Sequence, residues 1–142
     1  MTARPVRVLW SHDLSDQTRG YWAIAVALHR SGCEVVLGGP QQPEEAVAAA
    51  TQEQVDVVGY RALGDGALER MLELARKLAE LARPELPAPA LAAAGIFEPG
   101  EADSLRAAGV GAVFEIASPV EEIAERMRAL GAASAAARDA RV

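Results

Sequence analysis

Cysteine, aromatic bulk, long apolar runs and positive charge are all scarce in this chain. The lone Cys33 cannot form an internal disulfide, which fits a reducing compartment. It reads as a small residue at a helix-to-strand turn. Aromatics make up 4% of residues, and alanine supplies much of the 51% hydrophobic content, so large core side chains are few. No apolar stretch approaches the roughly 20 residues of a spanning helix. Arg4 and Arg7 are not followed by an apolar stretch long enough for a signal peptide. Fourteen Lys+Arg face twenty Asp+Glu, a net charge of -6, with a pI near 4.9. That balance argues against nucleic acid or a membrane as the main partner. A cytoplasmic location is expected, and 142 residues suit one hydrophobic core.

What is present is an alternation of strands and helices. Val6 to Trp10 reads as a strand, and Arg19 to Ser31 as a helix with Trp22, Ala25, Val26 and Leu28 along its apolar face. Gly32 is the expected stop. Glu34 to Leu37 is a second strand, ended by Gly38-Gly39-Pro40. Pro43-Glu44-Glu45 opens a second helix, with proline in the first turn and acids at the positive dipole end. Val55 to Gly59 is a third strand, Ala67 to Leu81 the longest helix, and Ala90 to Ala94 a fourth strand after a proline-stiffened link. A short helix from Glu101 to Ala108 stops at Gly109, and Gly111 to Phe114 is the fifth strand. Ser118, Pro119 and Glu121 cap a last helix that Gly131 ends. Residues 1–131 are expected to form the domain, and 132–142 a flexible tail.

Five strand–helix units predict an α/β fold, a flavodoxin-like (Rossmann-like) doubly wound sheet of five parallel strands in the order 2-1-3-4-5. Val8, Val36, Val57 and Val113 should lie buried in it. Ligands of such sheets bind at the carboxyl ends of the strands. The loop after the first strand, Ser15-Asp16-Gln17-Thr18-Arg19-Gly20, is therefore the leading candidate. Asp13 and Asp16 read as caps of the helix or its approach, His12 as a loop-surface histidine, and His29 as an ordinary helix residue.

Several segments carry a resemblance to a known family. They are Arg7-Val8-Leu9, Arg19-Gly20, Gly32 to Val36, Thr51 to Gly59, Leu105 to Phe114 and Val120 to Ile123. Together they resemble the cobalamin-binding domain of acyl-CoA mutases of the methylmalonyl-CoA mutase type. The resemblance implies a domain that holds the nucleotide tail of cobalamin in a cleft beside the sheet. The corrin then lies on top, facing a separate barrel, a mutase catalytic subunit, that holds the acyl-CoA. The family motif D-x-H-x-x-G falls on Ser15, Gln17 and Gly20. Gln17 stands where the family has the histidine that ligates cobalt from below, and Ser15 where it has the aspartate that orients that histidine. The family's S-x-L falls on Arg61-Ala62-Leu63. Its paired glycines fall on Ala93 and Ala94, followed by Gly95, and a further glycine falls near Ala117. Each replacement is larger, so the cleft is expected to be partly filled by Arg61 and the methyls of Ala93, Ala94 and Ala117. A carboxamide is a poor cobalt ligand, so ligation from position 17 as the family makes it is not expected. His12 is left as a conceivable substitute.

Three readings stay open. One is a cobalamin-binding domain or small subunit of a mutase, binding cobalamin without a protein imidazole. The second is a degenerate domain that survives as a structural or regulatory partner of a mutase-like enzyme. The third is a module with another small ligand in the same cleft. A receiver domain fits the architecture, but strand three offers no phosphate-accepting aspartate and strand five no lysine. No catalytic residues or metal-ligand cluster are recognised, and catalysis by the isolated chain is not expected.

Overall fold

The computed structural model describes residues 4–14, 18–115 and 117–140. The chain runs β1 (Arg7–His12), α1 (Arg19–Arg30), β2 (Glu34–Pro40), α2 (Pro43–Glu53), β3 (Val57–Ala62), α3 (Ala67–Ala79), β4 (Ala90–Gly95), α4 (Pro99–Ala107), β5 (Ala112–Glu115) and α5 (Val120–Asp139). All strand pairs are parallel, in the order β2-β1-β3-β4-β5. The expected fold and strand order are both present.

Alternation along each strand makes two cores. Val8, Trp10, Val57, Ala92, Ala94, Ala112 and Phe114 pack beneath α1 and α5. Leu9, Val58, Tyr60, Ala62, Leu91 and Ala93 pack on the other face with α2, α3 and Leu105 of α4. Val8 and Val57 are fully buried, as expected. Val36 and Val113 are only half-buried, because β2 and β5 are the sheet's edges.

Local chemistry accounts for the element ends. Gln42 and Glu45 form a capping box on α2, and Glu98 and Glu101 form one on α4, each with proline in the first turn. Gly32 and Gly109 take φ +94° and +99°, where a side chain would be strained.

Four expectations need correction. β3 runs on through Tyr60, Arg61 and Ala62, because Tyr60 and Ala62 find a buried face against α2 and α3. On α1 the buried face is Tyr21, Ile24, Ala25, Ala27 and Leu28, while Trp22 and Val26 point outward. Gly131 does not end α5: the helix passes through it to Asp139, so residues 132–139 are helical. A β-carbon at Gly131 would lie 2.9 Å from Val57 Cγ1 and closer still to Val6, so the glycine permits close packing on the sheet. Finally, Pro119 rather than Ser118 holds the cap position of α5, with no side-chain cap bond.

An ion cluster ties both chain ends to the amino edge. Arg4 donates two 2.9 Å hydrogen bonds to the buried Asp56 carboxylate, which also accepts from the Arg7 backbone N–H at 2.8 Å. Arg138 of α5 approaches the same carboxylate at 3.7 Å.

Candidate functional site at the carboxyl edge of the sheet

The loops after β1, β3 and β4 converge at the carboxyl edge. β1 enters it carrying Trp10, whose indole Nε1–H donates to the Tyr21 carbonyl at 2.8 Å. The Tyr21 hydroxyl donates back to the Trp10 carbonyl at 2.8 Å, and the rings stack at 5.4 Å. This reciprocal pair clamps the start of α1 onto β1. Tyr21 Oη also accepts from the Gly39 N–H at 3.1 Å, which holds the end of β2. Burial raises the pKa of the Tyr21 hydroxyl.

His12 follows on β1 and is buried, with 4% of its surface exposed, so it is not a loop-surface residue. Its ring meets the Tyr21 ring edge-on at 4.6 Å. Its Nδ1 lies against the Asp13 carbonyl oxygen, which can only accept, so Nδ1 carries the proton.

Asp13 is also buried, and its carboxylate reaches across to the segment after β3. Its carboxylate accepts from the Leu63 N–H at 2.8 Å and from Arg70 Nη2 at 2.7 Å. Its own N–H donates to the Arg61 carbonyl at 2.9 Å. Asp13 thus stitches the β1 loop to the turn that leads from β3 into α3. Leu63 is half-buried and takes part through its backbone, with its carbonyl accepting from Arg70 at 3.1 Å.

Arg61 shares the sheet face of Trp10 and Ala94, under α1 and α5, by the alternation of paired strands. It is 4% exposed. Its guanidinium lies against Gly20: a β-carbon there would be 3.2 Å from Nη2 and 3.6 Å from Cζ. Desolvation lowers the Arg61 pKa, and the Asp13 carboxylate opposes that shift. Deeper on the same face, a β-carbon at Gly59 would sit 2.7 Å from Trp10 Cε3 and 2.7 Å from Met127 Sδ. The space beside Gly20 and Gly59 is therefore occupied by the chain's own Arg61, Trp10 and Met127.

The remaining sequence candidates divide. Ala94 is buried on the Arg61 face. Ala93 points to the opposite face, into the core beneath α2 and α3, so its methyl does not enter this cleft. Gly95 pairs with Ala62, and a β-carbon on it would fall 2.5 Å from the Ala62 carbonyl oxygen. Ala117 is exposed, in the turn before α5. Ser15, Asp16 and Gln17 lie outside the described residues. The sequence reading missed Trp10, Tyr21 and Met127, and only their size among so many alanines could have marked them. Leu14 and Ile96 stand exposed at the edge itself. Among the described residues no group of three His, Cys, Asp or Glu could hold a metal ion, and no helix is long and apolar enough to cross a membrane.

At Gly20 and Gly59 the chain's own Arg61, Trp10 and Met127 stand at contact distance, so a cofactor tail lying against Gly20 would require the Arg61 side chain to move.

Comparisons with known proteins place this geometry. Residues 15–128 match the B12 binding domain family. The chain is 35% identical over 139 residues to the pivalyl-CoA mutase small subunit of Xanthobacter autotrophicus, covering 95% of this chain and 90% of that protein. It is 32% identical over 138 residues to the 2-hydroxyisobutanoyl-CoA mutase small subunit of Aquincola tertiaricarbonis, covering 96% and 99%. Among solved structures, a cobalamin-binding protein from Desulfitobacterium hafniense superposes with a TM-score of 0.72 at 14% identity, over 89% of this chain and 59% of that one. The receiver domain of the response regulator NarL from Mycobacterium tuberculosis gives 0.67 at 20% identity, over 92% and 98%. At such identities the structural likenesses speak for the fold alone.

Proposed function

Because the chain belongs to the B12 binding domain family, we propose that it is the cobalamin-carrying small subunit of an acyl-CoA mutase, with the corrin over the carboxyl edge and the nucleotide tail outside the cleft. Two relatives of nearly the same extent are named as small subunits of CoA-ester mutases, which supports the subunit role. The acyl-CoA would then sit in a barrel subunit that docks on the same edge, and the present chain would carry and orient the cofactor. Cobalamin would supply the radical chemistry, a property of the cofactor rather than of the protein.

The carrying observation is the Arg61 guanidinium packed on Gly20. A tail entering there must displace a buried charged side chain, and close-packed interiors do not absorb added atoms freely. If cobalamin binds, this chain would leave the lower side of the cobalt to the cofactor's own base or to water. Neither histidine of the chain can replace it: His12 is enclosed by Tyr21 and Asp13, and His29 lies in the last turn of α1, at the far end of that helix from Gly20.

The same filled cleft favours a second reading, a degenerate partner that has lost the cofactor. Gel filtration after mixing with hydroxocobalamin or adenosylcobalamin separates the two. A corrin spectrum that travels with the protein supports the carrier role. Complete loss of the corrin, with the fold intact, supports the degenerate partner.

A further inference from the structure

We propose that the groove between α1 and the free edge of β2 seats a helix of a partner protein, apolar on one face and acidic at both ends. That this partner is the mutase catalytic subunit rests on the carrier-subunit reading. α1 is apolar on two sides. Tyr21, Ile24, Ala25 and Leu28 are buried against the sheet, while Trp22 and Val26 stand 53% and 48% exposed on the outside. A helix apolar nearly all round is usually covered. Val35 and Leu37 of β2 pair with Val8 and Trp10 and so share the sheet face that α1 covers. Leu37 is 50% exposed there, and Trp22, Val26, His29, Val35 and Leu37 line one groove of about 490 Å³.

Shape favours a helix. α5 flanks α1 on one side, and β2 ends the sheet on the other, so the next seat in this helix layer is open. A strand added to β2 would lie in the plane of the sheet and leave Trp22 and Val26, one layer above, uncovered. A helix laid beside α1 covers them and Leu37 at once. Trp22 stands in the first turn of α1, beside the carboxyl edge where Gly20 meets Arg61. A barrel subunit docked on that edge therefore reaches the groove directly.

Charge sets the chemistry of the occupant. Arg19, Trp22, Val26 and Arg30 follow at helical spacing and form one outward stripe. The two arginines bracket it, roughly 16 Å apart along the axis. The chain has net charge -6, yet α1 holds no acid. Arg4, Arg7, Arg70, Arg76, Arg128 and Arg138 each meet a carboxylate. Among the described residues no carboxylate stands at ion-pair distance from Arg19 or Arg30. Glu34 belongs to the opposite sheet face with Arg7, and Glu121 and Glu125 lie on the α5 side of α1, where Arg128 holds Glu125. A helix with a carboxylate near each end and apolar residues between answers both arginines and the strip they enclose. A second copy of α1 brings no acid and does not.

Tryptophan emission of the full chain, titrated with a stapled helical peptide that is leucine-faced and carries glutamates at both ends, tests this. Trp10 is wholly buried, so a blue shift reports the covering of Trp22. The same peptide with lysines for glutamates should bind roughly tenfold more weakly. Val26→Asp and Leu37→Asp, at exposed positions, should each weaken binding of the glutamate peptide by roughly tenfold or more, with circular dichroism unchanged. Arg19→Glu together with Arg30→Glu should reverse the preference between the two peptides. No shift with the glutamate peptide, or binding that ignores its charge, overturns the proposal. With the mutase catalytic subunit in place of the peptide, Val26→Asp should loosen the complex while corrin binding by the isolated chain stays unchanged. A complex that tolerates Val26→Asp overturns the assignment of the groove to that subunit. Should the native chain shed corrin, the carrier role falls, and the peptide titration still decides the groove.

Discussion

Arg61→Ser is the substitution that isolates the closed cleft. In the native chain the guanidinium sits where a β-carbon on Gly20 would meet it at 3.2 Å, on a strand position flanked on the same face by His12 and Ala94. A cofactor tail can enter only if that side chain moves. Forcing atoms into a packed site costs about 1–3 kcal/mol. At 1.4 kcal/mol per tenfold, this handicaps cobalamin about 5- to 150-fold. Serine removes the guanidinium and leaves the Asp13 bonds to Leu63 and Arg70 in place. Equilibrium dialysis should therefore show adenosylcobalamin bound 5- to 150-fold more tightly by the variant. Cobinamide, a corrinoid without the nucleotide tail, serves as the control and should bind both proteins alike. Equal gains for the two corrinoids, or no gain for cobalamin with the fold intact, would refute the reasoning.

Other consequences follow from the same geometry. Asp13→Ala should destabilise the chain by about 2–4 kcal/mol in urea unfolding, since charge-assisted bonds to Leu63 and Arg70 are lost, while Arg70→Ala should cost less because Leu63 keeps its acceptor. Gly131→Ala gains up to ~1 kcal/mol of helix propensity but drives a methyl into Val6 and Val57, so a net loss of about 1–2 kcal/mol is expected; a stabilised variant would contradict the packing role. Burial pushes Tyr60 up to about 12 and also raises Tyr21. Above about pH 10 the unfolded chain therefore releases tyrosine protons first, so stability is full below that pH and falls toward 12. Tyrosinate absorbance should rise together with unfolding, and ionisation near pH 10 in a folded chain would count against the buried pair.

The sheet was legible in the sequence because parallel strands write themselves as continuous apolar runs between helix caps and glycine stops. Val8 and Val57 sit where that pattern put them, and all five strands pair in the expected order. The misreadings share a cause: one residue's role was decided by a partner distant in sequence. Gly131 looks like a helix stop until Val6 and Val57 are seen against it. His12 looks like a loop residue until Tyr21 closes over it. Ala93 and Ala94 are neighbours in sequence, yet strand alternation sends their methyls to opposite cores. Arg61 was recognised as an intruder from the family pattern, but its resting place on Gly20 and the filling of the deeper space by Trp10 and Met127 could be read only from the fold.

The central claim is that any cobalamin held by this chain keeps its tail outside the cleft and takes no imidazole from the protein. Electron paramagnetic resonance of cob(II)alamin bound to protein labelled throughout with the heavy nitrogen isotope tests it directly. Each cobalt line should carry the triplet of the cofactor's own ordinary nitrogen, or no nitrogen splitting if water lies below. A doublet from a heavy-nitrogen ligand would place a protein imidazole on cobalt and contradict the account.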